Sequence, residues 1–389
     1  MPSTTRRSLL VALGAGAALS GCLTLESNSD ELGAIDGEWR MDGRDAGHTR
    51  RVDDGPTEPA TAWRTEFDDV RGVGTPSLAD GDLYVPADAV TETARSRYRL
   101  YALSGRNGGV RWRVPLRVEP NGAPAVSADR IVVSAKRSVK DGRLVCFHPR
   151  YGEEQWLYDV GSRLTAPPTV AEGVVYVGDW RGRVHAIGTL AGTVRWTRRI
   201  DAGEDGRSFA TAGAVHDGTL YLGSQSGNTG VVALDADNGA ERWRVTTGAV
   251  TGGPIVADDL VVVRSHSTVR AFDTAGKQRW TVTVPAPDPE GIAVSDDRVF
   301  IPAGDRLYAI DRDGAEAWRH QVDDGRVGTP TVAGDAVVFR NGEGGLTARA
   351  VADGSERWTV PTEAAGQPIV TAEAMFQSSR RGVVGRGEN

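Results

Sequence analysis

Apolar and polar residues alternate along most of the chain in runs of about six, as in Asp82-Leu83-Tyr84-Val85-Pro86-Ala87, Val174-Val175-Tyr176-Val177-Gly178-Asp179, Thr219-Leu220-Tyr221-Leu222-Gly223-Ser224 and Arg298-Val299-Phe300-Ile301-Pro302-Ala303. A period of two, rich in β-branched and aromatic residues and broken by Gly, Asp and Asn, predicts short strands joined by tight turns. No stretch sustains a helical period between caps, so a nearly all-β chain is expected.

The pattern repeats. Trp63, Trp112, Trp156, Trp196, Trp243, Trp280, Trp318 and Trp358 are spaced by 49, 44, 40, 47, 37, 38 and 40 residues, a period that belongs to solenoids and propellers. Four residues before each of the last seven stands a glycine: Gly108, Gly152, Gly192, Gly239, Gly276, Gly314 and Gly354. Such a position predicts a hairpin turn with positive φ, where a Cβ would clash. Asp235, Asn238, Asp311 and Asp313 sit nearby, with short side chains able to bond the turn's own amides. Nine or ten residues before the tryptophan comes a small residue, Ala102, Ala186, Ala233, Ala271, Ala309 or Ala348, and in one unit Cys146. Cys146 is therefore read as a buried substitute for alanine.

Trp63 breaks the rule, because Pro59 stands four residues before it and no hairpin precedes it. It reads as a lone outer strand. Seven units follow, and the residues after Trp358 suffice for three more strands. One strand at the start and three at the end complete a blade. The expected fold is an eight-bladed β-propeller of four-stranded antiparallel blades, spanning 38–389 as a single domain, with the ring closed by the N-terminal strand joining the last blade. One tryptophan per blade is expected on the outer strand, packed against the neighbouring blade.

Composition narrows the class of partner. The 45 basic residues include only Lys136, Lys140 and Lys277 as lysine, against 52 acids and a net charge of -7, a balance that argues against nucleic acid. A lysine-poor, Asp-rich surface suits high salt and points to a haloarchaeal source, although GC-rich coding produces the same bias. The chain is expected to be monomeric. The first residues carry an address. Arg6 and Arg7 precede the apolar, small-residue run Val11-Ala12-Leu13-Gly14-Ala15-Gly16-Ala17-Ala18, too short to span a bilayer and suited to a signal peptide over 1–21. The paired arginines resemble a twin-arginine export signal. Leu19-Ser20-Gly21-Cys22 resembles a lipobox, which implies cleavage before Cys22 and lipidation of its thiol. Residues 22–37 would then be a lipidated cysteine and a flexible acidic tether. The expected location is the outer face of the cytoplasmic membrane. With Cys22 so used, Cys146 is the remaining thiol and no internal disulfide can form.

Ala233-Leu234-Asp235-Ala236-Asp237-Asn238-Gly239-Ala240-Glu241-Arg242-Trp243, echoed at Ala271–Trp280 and Ala309–Trp318, resembles the repeat of pyrroloquinoline-quinone-like β-propellers over roughly residues 60–385. The lead-in Trp39-Arg40-Met41-Asp42-Gly43-Arg44-Asp45 also resembles the opening of BamB-type propellers, lipoproteins of outer-membrane assembly. No Trp-Asp dipeptide marks the WD40 pattern.

Quinoprotein dehydrogenases of this fold hold the quinone with calcium over the channel and often carry an adjacent cysteine pair. That pair is absent here. The nearest acid group, Glu66, Asp68 and Asp69, reads as an ordinary loop. The histidines His48, His148, His185, His216, His266 and His320 show no metal-ligand spacing, and no Gly-x-Ser-x-Gly elbow occurs. A pair of catalytic carboxylates far apart in the chain stays open. The expectation is a non-catalytic scaffold with no metal and no cofactor, the alternative being a small quinone-binding oxidoreductase or a ligand sensor. Strand alternation puts the glycine hairpins on one face and the variable loops on the other. On that loop face Trp180-Arg181, Arg264 with His266, and Arg340-Asn341 form a candidate surface for a protein partner.

Overall fold

The computed structural model describes residues 31–388 apart from 91–96, 201–206, 227, 286–290, 343–344 and 365. Arg6, Arg7, the signal segment 1–21 and Cys22 therefore lie outside the described residues. The strands form eight antiparallel sheets around one axis, with no helix among the described residues. Blades one to seven span 70–116, 119–159, 169–199, 214–245, 255–283, 293–321 and 331–361. In blade four the order from axis to rim is Ala214–His216, Thr219–Gly223, Val231–Asp235 and Glu241–Val245. The eighth blade joins Ile369–Val370, Ala374–Ser378 and Gly382–Glu388 to Pro59–Glu66, which pairs antiparallel with the last strand. The ring thus closes by the N-terminal strand, as the lone Trp63 implied.

The repeated glycine has two duties. Its φ is positive at all seven hairpins, from +66° at Gly192 to +94° at Gly314. It also lies against the tryptophan of the preceding blade. A Cβ on Gly239 would stand 2.8 Å from Trp196 Cε3, and one on Gly152 2.7 Å from Trp112 Cε3. The indole completes the clasp by donating Nε1–H to a carbonyl of that next hairpin, Trp196 to Ala236 and Trp243 to Thr274 at 2.8 Å each. Seven seams repeat this bond, beginning with Trp63 to Gly105. The seam after Trp358 has no such hairpin, because blade eight is closed by a separate strand.

The small slot is explained by register. Ala102, Cys146, Ala186, Ala233, Ala271, Ala309 and Ala348 each stand directly opposite the tryptophan of their own blade, and a β-bulge follows each one. In blade eight the slot is Gly385, opposite Trp63, where a Cβ would come within 2.2 Å of the ring. Cys146 is fully buried, as expected, and burial pushes its thiol up to about 12.

The axis is filled by the chain itself. Residues 39–52 cross the channel, and carbonyls of Trp39, Arg40, Ala46, Gly47, Thr49 and Arg50 accept N–H bonds of 2.7–3.0 Å from Leu78, Val126, Val215, Val256, Val294 and Val332. These donors belong to innermost strands, whose free edges would otherwise face the channel with unpaired amides. Arg51–Val52 then continues as a parallel partner of Thr331–Ala333. Within the stretch expected as tether, residues 31–37 lie against the hairpin face: Leu32 N donates to Arg106 O at 2.8 Å, and Leu32 and Ile35 pack on the core of blades eight and one.

Candidate functional site

The plug divides the channel. On the loop side it floors a cavity of about 310 Å3 walled by residues that lead into the innermost strands, among them Pro167, Thr211, Gly253, Gly291, Thr329 and Gln367. Asp42, His48 and Arg50 rise from the floor and Arg264 closes one side. On the hairpin side Arg44, Asp45, Thr49 and Arg51 face a more open hollow.

Backbone geometry puts the floor residues there. His48 and Arg50 hold φ of +58° and +54°, and Arg44 +81°, conformations that cost about 1–2 kcal/mol each for residues with a Cβ. Backbone bonds to six innermost strands hold the segment in place and offset that strain. Gly43 lets the segment fold back on itself, since a Cβ there would meet His48 Cα at 2.7 Å.

The plug's charged groups and Gln367 bind one another. Arg50 Nη2 donates to Asp42 Oδ1 at 2.8 Å and Nη1 to Gln367 Oε1 at 2.7 Å, while Gln367 Nε2 donates to Asp42 Oδ1 at 3.2 Å. Burial raises the Asp42 carboxyl, but the charges of Arg50 and His48 and the bonds from Gln367 and Arg50 outweigh it, and the net shift is downward. His48 is lowered, chiefly by burial and further by Arg50, against the pull of Asp42 and Asp45, so the ring is neutral at pH 7. Its Nε2 lies 2.9 Å from Thr169 Oγ1 and 3.1 Å from Gly213 O. Arg264 is buried and donates to the carbonyls of His266 and Pro302.

The lining thus carries two guanidinium groups, one carboxylate and one neutral imidazole. That donor set does not suit calcium, which takes six to eight oxygens; the single carboxylate is already held by Arg50 and Gln367. No group of three or more His, Cys, Asp or Glu side chains among the described residues is arranged to hold a metal ion.

Of the six expected loop-face residues, Arg264 lines the cavity and the other five stand outside it. Trp180 is locked by Nε1–H to Thr165 Oγ1 at 2.8 Å, and Arg163 lies over its ring at 3.9 Å with Arg207 at 5.3 Å. The exposed Arg181 stands beside it, its backbone N–H donating to Asp179 Oδ1 at 2.8 Å. His266 is exposed with φ +53°, and Asn341 accepts from His320 at 3.3 Å. The plug residues Asp42, His48 and Arg50 were not among the candidates, nor were Arg163 and Arg207. The signal for the first three lay in the lead-in, where a charged stretch sits between Trp39 and the first repeat.

A closed ring of clasped four-stranded blades with its own chain through the axis defines the protein as a plugged eight-bladed propeller. The chain belongs to the pyrroloquinoline-quinone-like repeat family whose profile is described as outer membrane protein assembly factor BamB, with matches at 52–267, 205–287 and 265–387. Among curated relatives, it is 32% identical over 169 residues to the assembly factor BamB of Burkholderia pseudomallei, covering 40% of this chain and 42% of that one. It is also 32% identical over 181 residues to the serine/threonine-protein kinase AfsK of Streptomyces coelicolor, covering 44% and 21%. The chain thus spans well under half the length of these relatives. Among solved structures, a quinohemoprotein alcohol dehydrogenase from Comamonas testosteroni superposes with a TM-score of 0.73 at 17% identity, over 91% of this chain and 80% of that one. BamB from Moraxella catarrhalis superposes at 0.64 and 19% identity, over 85% and 98%. At such identities the superpositions speak for the fold alone.

Proposed function

We propose that this protein is a non-catalytic, lipid-anchored propeller on the outer face of the cytoplasmic membrane, which holds a protein partner on its loop face. The observation that carries the reading is the state of the cavity's polar groups. Asp42, Arg50, Gln367 and His48 are spent on one another and on the blades, which fixes the plug and engages the titratable groups of its floor in structural bonds. The loop face supplies instead a rigid tryptophan stacked under guanidinium groups, the composition of an interface anchor. The export signal and Cys22 supply the address. Likeness to BamB proteins supports a partner that is itself a protein, and the assembly role of those relatives is not carried over.

Crosslinking from native membranes tests this directly. A partner captured by the wild type and lost with Arg181→Ala, at unchanged melting temperature, is the expected result; capture that survives Arg181→Ala would remove this surface from the reading. Cys22→Ser is expected to free the protein from membranes, and retention of that variant would refute lipid anchoring. A second reading, a small quinone-binding oxidoreductase, rests on the cavity and on the likeness to the alcohol dehydrogenase. Quinone with calcium raising the melting temperature, together with dye reduction by alcohols, would favour it.

A further inference from the structure

Exposed apolar side chains are distributed unevenly. The seven large ones among the described residues, Val90, Val110, Val139, Tyr151, Leu157, Leu190 and Val194, all lie in blades one to three. Four of them gather at the hairpin end of the rim. Tyr151 and Leu190 sit in the glycine hairpins of blades two and three, 56% and 66% exposed, and Val110 and Val194 begin the outer strands of blades one and three, 50% and 51% exposed.

Charge follows the same division. The hairpins of blades one to three carry Arg106 and Arg150 against Glu153, and at the start of the outer strands that follow stand the exposed Glu154 in blade two and Arg195 in blade three. Arg150 lies over the Tyr151 ring at 5.5 Å. The hairpins of blades four to seven carry Asp235, Asp237, Asp273, Asp311, Asp313 and Asp353 against Lys277 and Arg312, with Asp235 paired to Arg242 and Asp311 to Arg298, and Asp237, Asp313 and Asp353 left outermost. Acids of the inner hairpins in blades one to three, Asp80, Asp129 and Glu172, stand closer to the axis, and Asp129 is paired with Arg130 at 2.8 Å.

The first described residue also lies at this place. Glu31 is held at the blade-one hairpin, where Asn107 donates to it at 3.2 Å and Arg106 pairs with it at 3.4 Å. Cys22 stands nine residues earlier in the sequence, a reach of at most about 30 Å when extended.

We propose that the hairpin rim of blades one to three is the surface this protein lays on an anionic phospholipid bilayer. The proposal rests on the anchoring reading above. Tyr151 and Leu190 enter the headgroup layer, Arg150 and Arg195 meet lipid phosphates, and the acidic hairpins of blades four to seven tilt away. The loop face, with its cavity and Trp180, is thereby turned outward.

Full-length lipidated protein carrying Leu190→Cys, Asp313→Cys or Arg181→Cys, each at an exposed site, is labelled with an environment-sensitive fluorophore and reconstituted on equimolar phosphatidylcholine and phosphatidylglycerol vesicles with spin-labelled acyl chains. Cys146 is buried and stays unlabelled. The expected result is quenching at position 190 stronger than at 313 or 181 by about twofold or more. Equal quenching at the three positions in protein that cosediments with the vesicles would overturn this surface and leave the anchor standing. Wild type that stays in the supernatant beside Cys22→Ser would overturn the anchor and the surface together.

Discussion

The clasp can be separated from the turn it sits in by two substitutions. Gly239 and Gly81 have nearly the same backbone, φ +72° and +73°. A Cβ at Gly81 meets nothing within 4 Å, whereas one at Gly239 meets Arg198 Cγ at 2.7 Å and Trp196 at 2.8 and 2.9 Å. Gly81→Ala therefore carries only the left-handed strain, about 1–2 kcal/mol. Gly239→Ala carries the same strain plus overpacking of about 1–3 kcal/mol, for a total of about 2–5 kcal/mol. With an unfolding entropy of about 2.1 cal/mol/K per residue over roughly 350 residues, each kcal/mol lowers Tm by about 1.4 °C. Calorimetry should then show a drop of about 1–3 °C for Gly81→Ala and about 3–7 °C for Gly239→Ala. Equal drops for the two variants would refute the packing role of the glycine and leave it a turn residue alone.

Two further outcomes follow from buried titratable groups. Cys146, with its thiol pushed up to about 12, should ignore a disulfide reagent at pH 8 in the native protein and react once the protein is denatured; prompt native labelling would contradict its place opposite Trp156. His48 is lowered from 6.5 in the fold, so the unfolded chain takes up its proton first as pH falls and stability declines below about 6.5; Asp42, also lowered, adds a second decline below about 3.8. Chemical denaturation across pH 4–7 should show the first decline in the wild type and a flatter curve in His48→Gln, and parallel curves would remove His48 as its source.

Much of the ring was legible because its signals are local. A tryptophan with a glycine four residues before it needs only a hairpin to be understood, and Trp63 without that glycine was enough to imply how the ring closes. The partner of each glycine was not legible, because it is the tryptophan about 40 residues earlier rather than the one beside it. Gly385 was missed as the eighth small slot for the same reason: its strand and Trp63 stand at opposite ends of the chain and meet only on closure. The cavity floor was hidden more deeply. Asp42, His48 and Arg50 follow no period, and their partners Gln367, Thr169 and Gly213 lie 121 to 325 residues away. Trp180 stood out by lying off the repeat, but nothing in the spacing indicated that Arg163 and Arg207 would stack on it.

The plug also constrains the order in which the molecule can be built. Residues 39–52 bond to innermost strands from Leu78 to Val332, and Arg50 reaches Gln367, so the segment made first finds its last partner only when the final blade arrives. Both flanks of the segment lie at the hairpin face, so it enters and leaves the channel from one side, and its bonds can form only where the innermost strands have been brought around the axis. Folding therefore depends on contacts of very long sequence separation, which form slowly. Deleting residues 39–52 would leave six innermost strands without a partner on the axis, and its effect should appear in the rate and yield of refolding as well as in stability.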